Sequence, residues 1–129
     1  MCSDGSVNSE FCHSEISRYI ENFRRYMKYF KREQIHVVDG DALIKNPLPE
    51  LRKIERFLGL KHRFNHKNVY FDKAKGFYCV NKQGWRKCLG ANKGRTHPNI
   101  DKDVIQTLKE YFQPFNEEFY DAVGQKFNW

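Results

Sequence analysis

Cys79 and Cys88 stand nine positions apart around a Gln83-Gly84 pair, and no other feature restricts the local fold of this chain as tightly. Gly76-Phe77-Tyr78-Cys79-Val80 reads as a strand, Gln83-Gly84 as a turn, and Arg86-Lys87-Cys88-Leu89 as the returning strand of a hairpin. A disulfide across that hairpin would close a loop of roughly ten residues and contribute on the order of 2–3 kcal/mol. Two reduced thiols fit the same spacing. Directly afterwards comes a basic turn, Lys93-Gly94-Arg95-Thr96-His97-Pro98. Gly94 permits close backbone approach, Arg95 offers a planar fork of donors and Lys93 adds a point charge. Successive amides in such a turn can cradle an anion. Tyr78, beside the cysteine, is placed to stack on or hydrogen-bond a nucleotide. Lys-Gly-Arg is also common in solvated loops, so the spacing alone leaves the ligand open. The chain contains no Gly-x-x-x-x-Gly-Lys-Ser/Thr, which excludes a phosphate loop of the Walker type.

The formal net charge of +7 favours polyanionic partners, nucleic acid, a phosphorylated cofactor, a sulfated glycan or an acidic membrane surface, without choosing among them. Solubility alone is the plainer meaning of such a charge. A length of 129 residues and 40% hydrophobic content suffice for a packed domain. No apolar run approaches the roughly 20 residues that a membrane-crossing helix needs. Met1 to Glu10 is polar and lacks the apolar core of a secretory signal. A zinc site is disfavoured, because the cysteines find no second Cys or His pair at ligand spacing. His62 and His66 are four apart but sit in a basic loop without helical periodicity.

Taken in order, residues 1–15 read as a poorly ordered lead-in. From Glu15 to Phe30, the residues Ile16, Tyr19, Ile20, Phe23, Met27 and Phe30 make one stripe of an amphipathic helix. Ile35-His36-Val37-Val38 reads as a buried strand ending in an Asp39-Gly40-Asp41 turn. Such a strand between helices predicts an α/β fold with a parallel sheet, of which this chain would hold only a part. Asn46-Pro47 opens another helix with Leu51, Ile54, Phe57 and Leu58 on its apolar face, ended by Gly59. Val69-Tyr70-Phe71 is a further short strand. Asp101 opens a helix that Pro114 is expected to interrupt or kink, with a second helical stretch closing near Gly124. The aromatic tail, Lys126-Phe127-Asn128-Trp129, is expected to dock on the body.

Several of these blocks occur together and in order. Ile35-His36-Val37-Val38-Asp39-Gly40-Asp41, Pro47-Leu48-Pro49-Glu50, Lys75-Gly76-Phe77-Tyr78-Cys79 and Cys88-Leu89 are followed by Lys93-Gly94-Arg95-Thr96-His97-Pro98 and Pro114-Phe115-Asn116. From about Ile16 to Trp129 the chain resembles the C-terminal half of heparan sulfate glucosamine 3-O-sulfotransferases. Enzymes that sulfate the glucosamine nitrogen share the Lys-Gly-Arg loop, but Thr96-His97-Pro98 and Gly76-Phe77-Tyr78-Cys79 are closer to the 3-O group.

The resemblance implies a P-loop-like α/β sulfotransferase fold, with residues 16–129 as the C-terminal portion of a single domain and the N-terminal sheet strands missing. It implies transfer of sulfate from 3′-phosphoadenosine 5′-phosphosulfate to the 3-hydroxyl of glucosamine in heparan sulfate, in the Golgi lumen. By that likeness Lys93, Gly94, Arg95, Thr96 and His97 hold the donor on its 3′-phosphate side and Tyr78 contacts the same nucleotide. Cys79 and Cys88 are joined, and Lys87 faces the glycan. Relatives often carry Arg where Lys87 stands, which keeps the charge but removes the bidentate fork. The family's Gly- and Lys-containing loop for the 5′-phosphosulfate, its Arg/Ser pair and its glutamate general base have no counterpart in residues 1–15. The general base is therefore expected outside this chain. His97 is no substitute, because its counterpart belongs to the donor loop. The expected partners are the glycan and the donor nucleotide, with no nucleic acid, no metal and no membrane span. The competing class is a noncatalytic fragment that binds heparan sulfate or nucleic acid through charge.

Overall fold

A computed structural model describes residues 6–8, 12–82, 84–90 and 98–128. Its helices are α1 (Cys12–Ile16), α2 (Tyr19–Met27), α3 (Gly40–Lys45), α4 (Pro47–Phe57) and α5 (Lys102–Val123), and its strands are β1 (Val69–Asp72), β2 (Phe77–Lys82) and β3 (Trp85–Lys87). A 3₁₀ turn occupies Arg32–Gln34. The chain divides into two compact units, Met1–Ile35 with Pro98–Trp129, and His36–His97.

The first unit is built from helix pairing. Ile20 and Phe23 are the buried residues of α2, and Phe119 and Val123 those of α5. Phe23 meets Phe119 edge-on at 5.9 Å, and Tyr19 approaches the same ring at 5.8 Å. These offset geometries suit aromatic quadrupoles better than face-to-face stacking. Arg24 and Glu118 form an ion pair between the two helices. Arg32 ties the 3₁₀ turn to the end of α5, donating to the Val123 carbonyl at 2.8 Å and to that of Ile35 at 2.7 Å.

The expected single helix over Glu15 to Phe30 is two helices. The break falls at Ser17-Arg18, where Asn22 donates its side-chain amide to the Ile16 carbonyl at 3.1 Å and satisfies a helix end. Ile16, Tyr19, Met27 and Phe30 are exposed, whereas Ile20 and Phe23 enter the core. Within residues 1–15, positions 6–8 have no regular structure and Cys12 onward is helical.

Helix α5 corrects a second expectation. Pro114 sits inside one continuous helix instead of dividing two. Proline removes one backbone donor there, but it lies on an exposed turn while Tyr111, Phe115 and Phe119 stay on one side. Side-chain packing on both sides of Pro114 outweighs the lost bond. Asp101 caps the start by accepting from the Asp103 amide at 2.9 Å, and Gly124 ends the helix at φ 69°. The tail does return: Phe127 is buried against Phe119 at 6.0 Å and Tyr120 at 5.6 Å.

In the second unit the sheet is antiparallel, in the order β1-β2-β3. Residues 35–38 form no strand, contrary to expectation, although Ile35 is extended at φ −118°, ψ 120°. β-branched residues favour an extended backbone, but a strand also needs a pairing partner, and none of the described segments pairs with it. Asp39-Gly40-Asp41 is a helix start rather than a turn: Asp39 caps α3 by accepting from the Ala42 amide at 2.9 Å. Pro47 stands in the first turn of α4 as expected, and Gly59 follows its end at φ 64°. The face of α4 differs from the reading, since Phe57 and Leu58 are exposed while Glu50 and Glu55 are buried. His36 stacks on Phe57 at 5.1 Å, which covers part of that ring.

Candidate functional site

Strands β2 and β3 pair Val80 with Lys87, Asn81 with Arg86 and Lys82 with Trp85. One further step along the ladder sets Cys79 opposite Cys88. The two are disulfide-bonded with Cα atoms 4.8 Å apart, close to the spacing of a non-hydrogen-bonded antiparallel pair. Gly84, at φ 85°, supplies the left-handed conformation that a two-residue hairpin turn demands. The other end of β2 is fixed as tightly. Asp72 accepts from the amides of Ala74 and Lys75, the Gly76 amide donates to the Asp72 carbonyl, and Gly76 adopts φ 73°. Lys75 reaches across to donate to the Leu89 carbonyl at 3.0 Å.

Alternation along the strands sorts the side chains into two faces. One carries Tyr70, Asp72, Phe77, Cys79, Asn81 and Arg86, with the Arg86 guanidinium 4.8 Å from the Tyr70 ring centroid. The Tyr70 hydroxyl lies 3.3 Å from the Cys88 sulfur, which has no proton of its own, so the phenol is the donor. Asp72 and the two cysteines lie within 4.8 Å of one another, but the sulfurs are bonded together and offer no thiolate to a metal.

The opposite face carries the sequence-predicted contacts. Tyr78 pairs with Phe71 across the sheet, with rings 5.3 Å apart and edge-on. Lys87 sits opposite Val80, one step further along the same face. Tyr78 and Lys87, assigned respectively to the donor nucleotide and the glycan, are thus diagonal neighbours on one sheet surface. The residues Lys93, Gly94, Arg95, Thr96 and His97 lie outside the described residues. Sequence reasoning missed Trp85, whose ring lies 5.4 Å from the Lys87 ammonium. The signal was available, because residues 85 and 87 share a face in any strand that carries both.

A second arrangement was also missed. Buried Glu55 accepts from the backbone amides of Arg63 at 2.7 Å and Phe64 at 3.0 Å, and its other oxygen lies 3.3 Å from His62 Nδ1. The Arg63 amide is the main cause that holds this carboxyl below its ordinary range, opposed by burial and aided by Phe64 and His62. Glu55 therefore anchors the cationic loop between Lys61 and Lys67. Glu50 is likewise buried and pairs with Lys53 at 2.5 Å.

Residues 6–126 match the family model described as the sulfotransferase domain. The chain belongs to the sulfotransferase domain family. It is 45% identical over 124 residues to the heparan sulfate glucosamine 3-O-sulfotransferase 5 of Homo sapiens, covering 95% of this chain and 36% of that protein. Identity to the Homo sapiens heparan sulfate glucosamine 3-O-sulfotransferase 3B1 is 38% over 128 residues, or 97% of this chain and 33% of the relative. For the Mus musculus heparan sulfate glucosamine 3-O-sulfotransferase 6 it is 35% over 128 residues, covering 97% and 37%. The chain spans about a third of the length of these curated relatives. Membership implies a sulfate donor. Among the described residues, no helix is long and apolar enough to cross a membrane.

Proposed function

We propose that this chain is the C-terminal portion of a heparan sulfate glucosamine 3-O-sulfotransferase of the Golgi lumen. In this reading the donor is 3′-phosphoadenosine 5′-phosphosulfate and the acceptor is the 3-hydroxyl of a glucosamine unit. The observation that carries it is the placement of Tyr78 and Lys87 on one face of a disulfide-locked sheet, within a chain whose relatives bear that name.

In the reaction the acceptor oxygen attacks sulfur in line, the bond from sulfur to the phosphate oxygen breaks, and adenosine 3′,5′-bisphosphate leaves. A base takes the hydroxyl proton, and cations stabilise the charge on the sulfuryl and leaving oxygens. This chain supplies the grip on the donor. Lys93, Gly94, Arg95, Thr96 and His97 receive the 3′-phosphate, and Tyr78 lies against the nucleoside. Lys87 holds an anionic group of the glycan. No residue of this sequence is given the role of general base.

Calorimetric titration of the chain with adenosine 3′,5′-bisphosphate tests the reading. Saturable binding in preference to AMP is expected, and Arg95→Ala is expected to weaken the bisphosphate roughly tenfold while leaving AMP unchanged. Equal affinity for the two nucleotides overturns the donor assignment. The chain alone, incubated with donor and heparan sulfate, is expected to yield no 3-O-sulfated glucosamine. Robust product would overturn the placement of the base outside it.

A further inference from the structure

The sheet face that carries Tyr78 and Lys87 extends beyond them towards the hairpin tip. Trp85 is 61% exposed there, with Val80 at 51% and Phe71 at 50% on the same face. Large rings this open to solvent on a strand mark contact surfaces when they occur together. The support beneath them is stiff. Trp85 pairs with Lys82 at the last rung before a two-residue turn, and the Cys79–Cys88 bond closes the ladder two rungs beyond the Asn81–Arg86 pair. Little conformational freedom is therefore lost when a ligand settles on the ring.

The charges around the ring define what fits. Lys82 lies directly opposite Trp85, and the Lys87 ammonium stands 5.4 Å from the indole centroid. With Lys87 over one face of the ring and Lys82 opposite on the neighbouring strand, the other indole face matches a ligand with a flat apolar face and anionic substituents at its edge. A glucosamine pyranose has such a face, formed by its axial C–H bonds, and its N- and 6-O-sulfates project from the rim of that ring. Phosphate-rich polymers without rings would meet only the lysines.

We infer that Trp85 is a sugar-stacking residue that sets glycan specificity, seating one pyranose of the sulfated chain while Lys82 and Lys87 take its flanking sulfate or carboxylate groups. The inference rests on the proposed glycan acceptor. It adds to that reading a contact through the apolar face of the sugar, which charge alone does not supply.

The chain has two tryptophans, Trp85 and Trp129, so Trp129→Phe leaves Trp85 as the only indole reporter. That variant is titrated with a heparin octasaccharide, with inorganic polyphosphate and with a single-stranded DNA oligomer. A saturable change of emission with the octasaccharide is expected, and a smaller one with polyphosphate, which reaches the ring only through Lys87; an equal change with polyphosphate overturns the stacking. Independently, by calorimetry on the chain with Trp129 intact, Trp85→Ala is expected to lower octasaccharide affinity about fivefold. Its salt dependence should be unchanged, and Trp85→Phe should recover most of the loss. Octasaccharide binding with silent Trp85 emission, or with Trp85→Ala as tight as the parent, overturns the inference while leaving the nucleotide test of the proposed function untouched. An equal emission change with DNA overturns the sugar assignment. Absence of octasaccharide binding in the parent chain overturns the glycan reading and this inference together.

Discussion

The backbone amide of Arg63 donates a 2.7 Å hydrogen bond to Oε1 of Glu55, eight residues earlier and buried on α4. This contact makes the ionised carboxylate the preferred form in the folded chain, because the amide of Phe64 and the ring of His62 converge on the same group. The folded-state pKa is depressed, so the unfolded chain binds the proton more readily in acid. The stability Glu55 confers is full above the ordinary carboxylate range and is lost as pH falls through the depressed folded value. Denaturation midpoints measured from about pH 7 to about pH 3 should therefore drop on the acid side. Glu55→Gln should lower the midpoint near neutrality and flatten that acid limb. An acid limb as steep in the variant as in the parent would sink this account.

Joining Cys79 to Cys88 restrains the unfolded chain and fixes the register of β2 against β3. Replacing both by serine should reduce unfolding stability by on the order of 2–3 kcal/mol, read from urea denaturation. Treatment of the parent with dithiothreitol should move its midpoint towards that of the variant. A parent whose midpoint ignores the reductant would show that the bridge restrains little.

Pro114 interrupts the donor ladder of α5 at an exposed position while the helix continues. Pro114→Ala restores an amide that can donate to the Glu110 carbonyl and removes the ring clash, offset by greater freedom of the unfolded chain. A net gain of about 2 kcal/mol is expected from the helix penalty of proline. Thermal melting with helical circular dichroism as the probe decides this. A lower melting temperature in the variant would mean that proline shapes a bend the packing requires.

What the sequence made legible was local, and what it hid was pairing. The hairpin followed from Gly84, the strand alternation and the cysteine spacing, all of which act within a dozen residues. The segment 35–38 had the right residues for a strand, yet strand formation depends on a neighbour that no local pattern reveals. The same limit explains Glu50 and Glu55. Acidic residues on a helix ordinarily face water, and their burial became readable only once Lys53 and the amides of Arg63 and Phe64 were seen to meet them. On this face, Tyr78 and Lys87 were proposed through family likeness, while the place of Trp85 beside Lys87 required the register of β2 and β3.

Lys87 offers the sharpest comparison between charge and shape on this face. Its ammonium is exposed and held above the Trp85 ring, so under the proposed glycan reading it would meet the polymer as a positioned point charge. Lys87→Ala should weaken heparin octasaccharide binding and reduce the slope of log affinity against log salt by about one released counterion. Lys87→Arg keeps the charge, so the slope should hold while the planar fork gains a bidentate bond to sulfate and tightens binding by about threefold. Calorimetric titrations at three salt concentrations separate the two effects. If Lys87→Ala leaves the slope as it is in the parent, Lys87 carries no anion of the glycan, and the glycan side of this sheet face must be assigned to other residues.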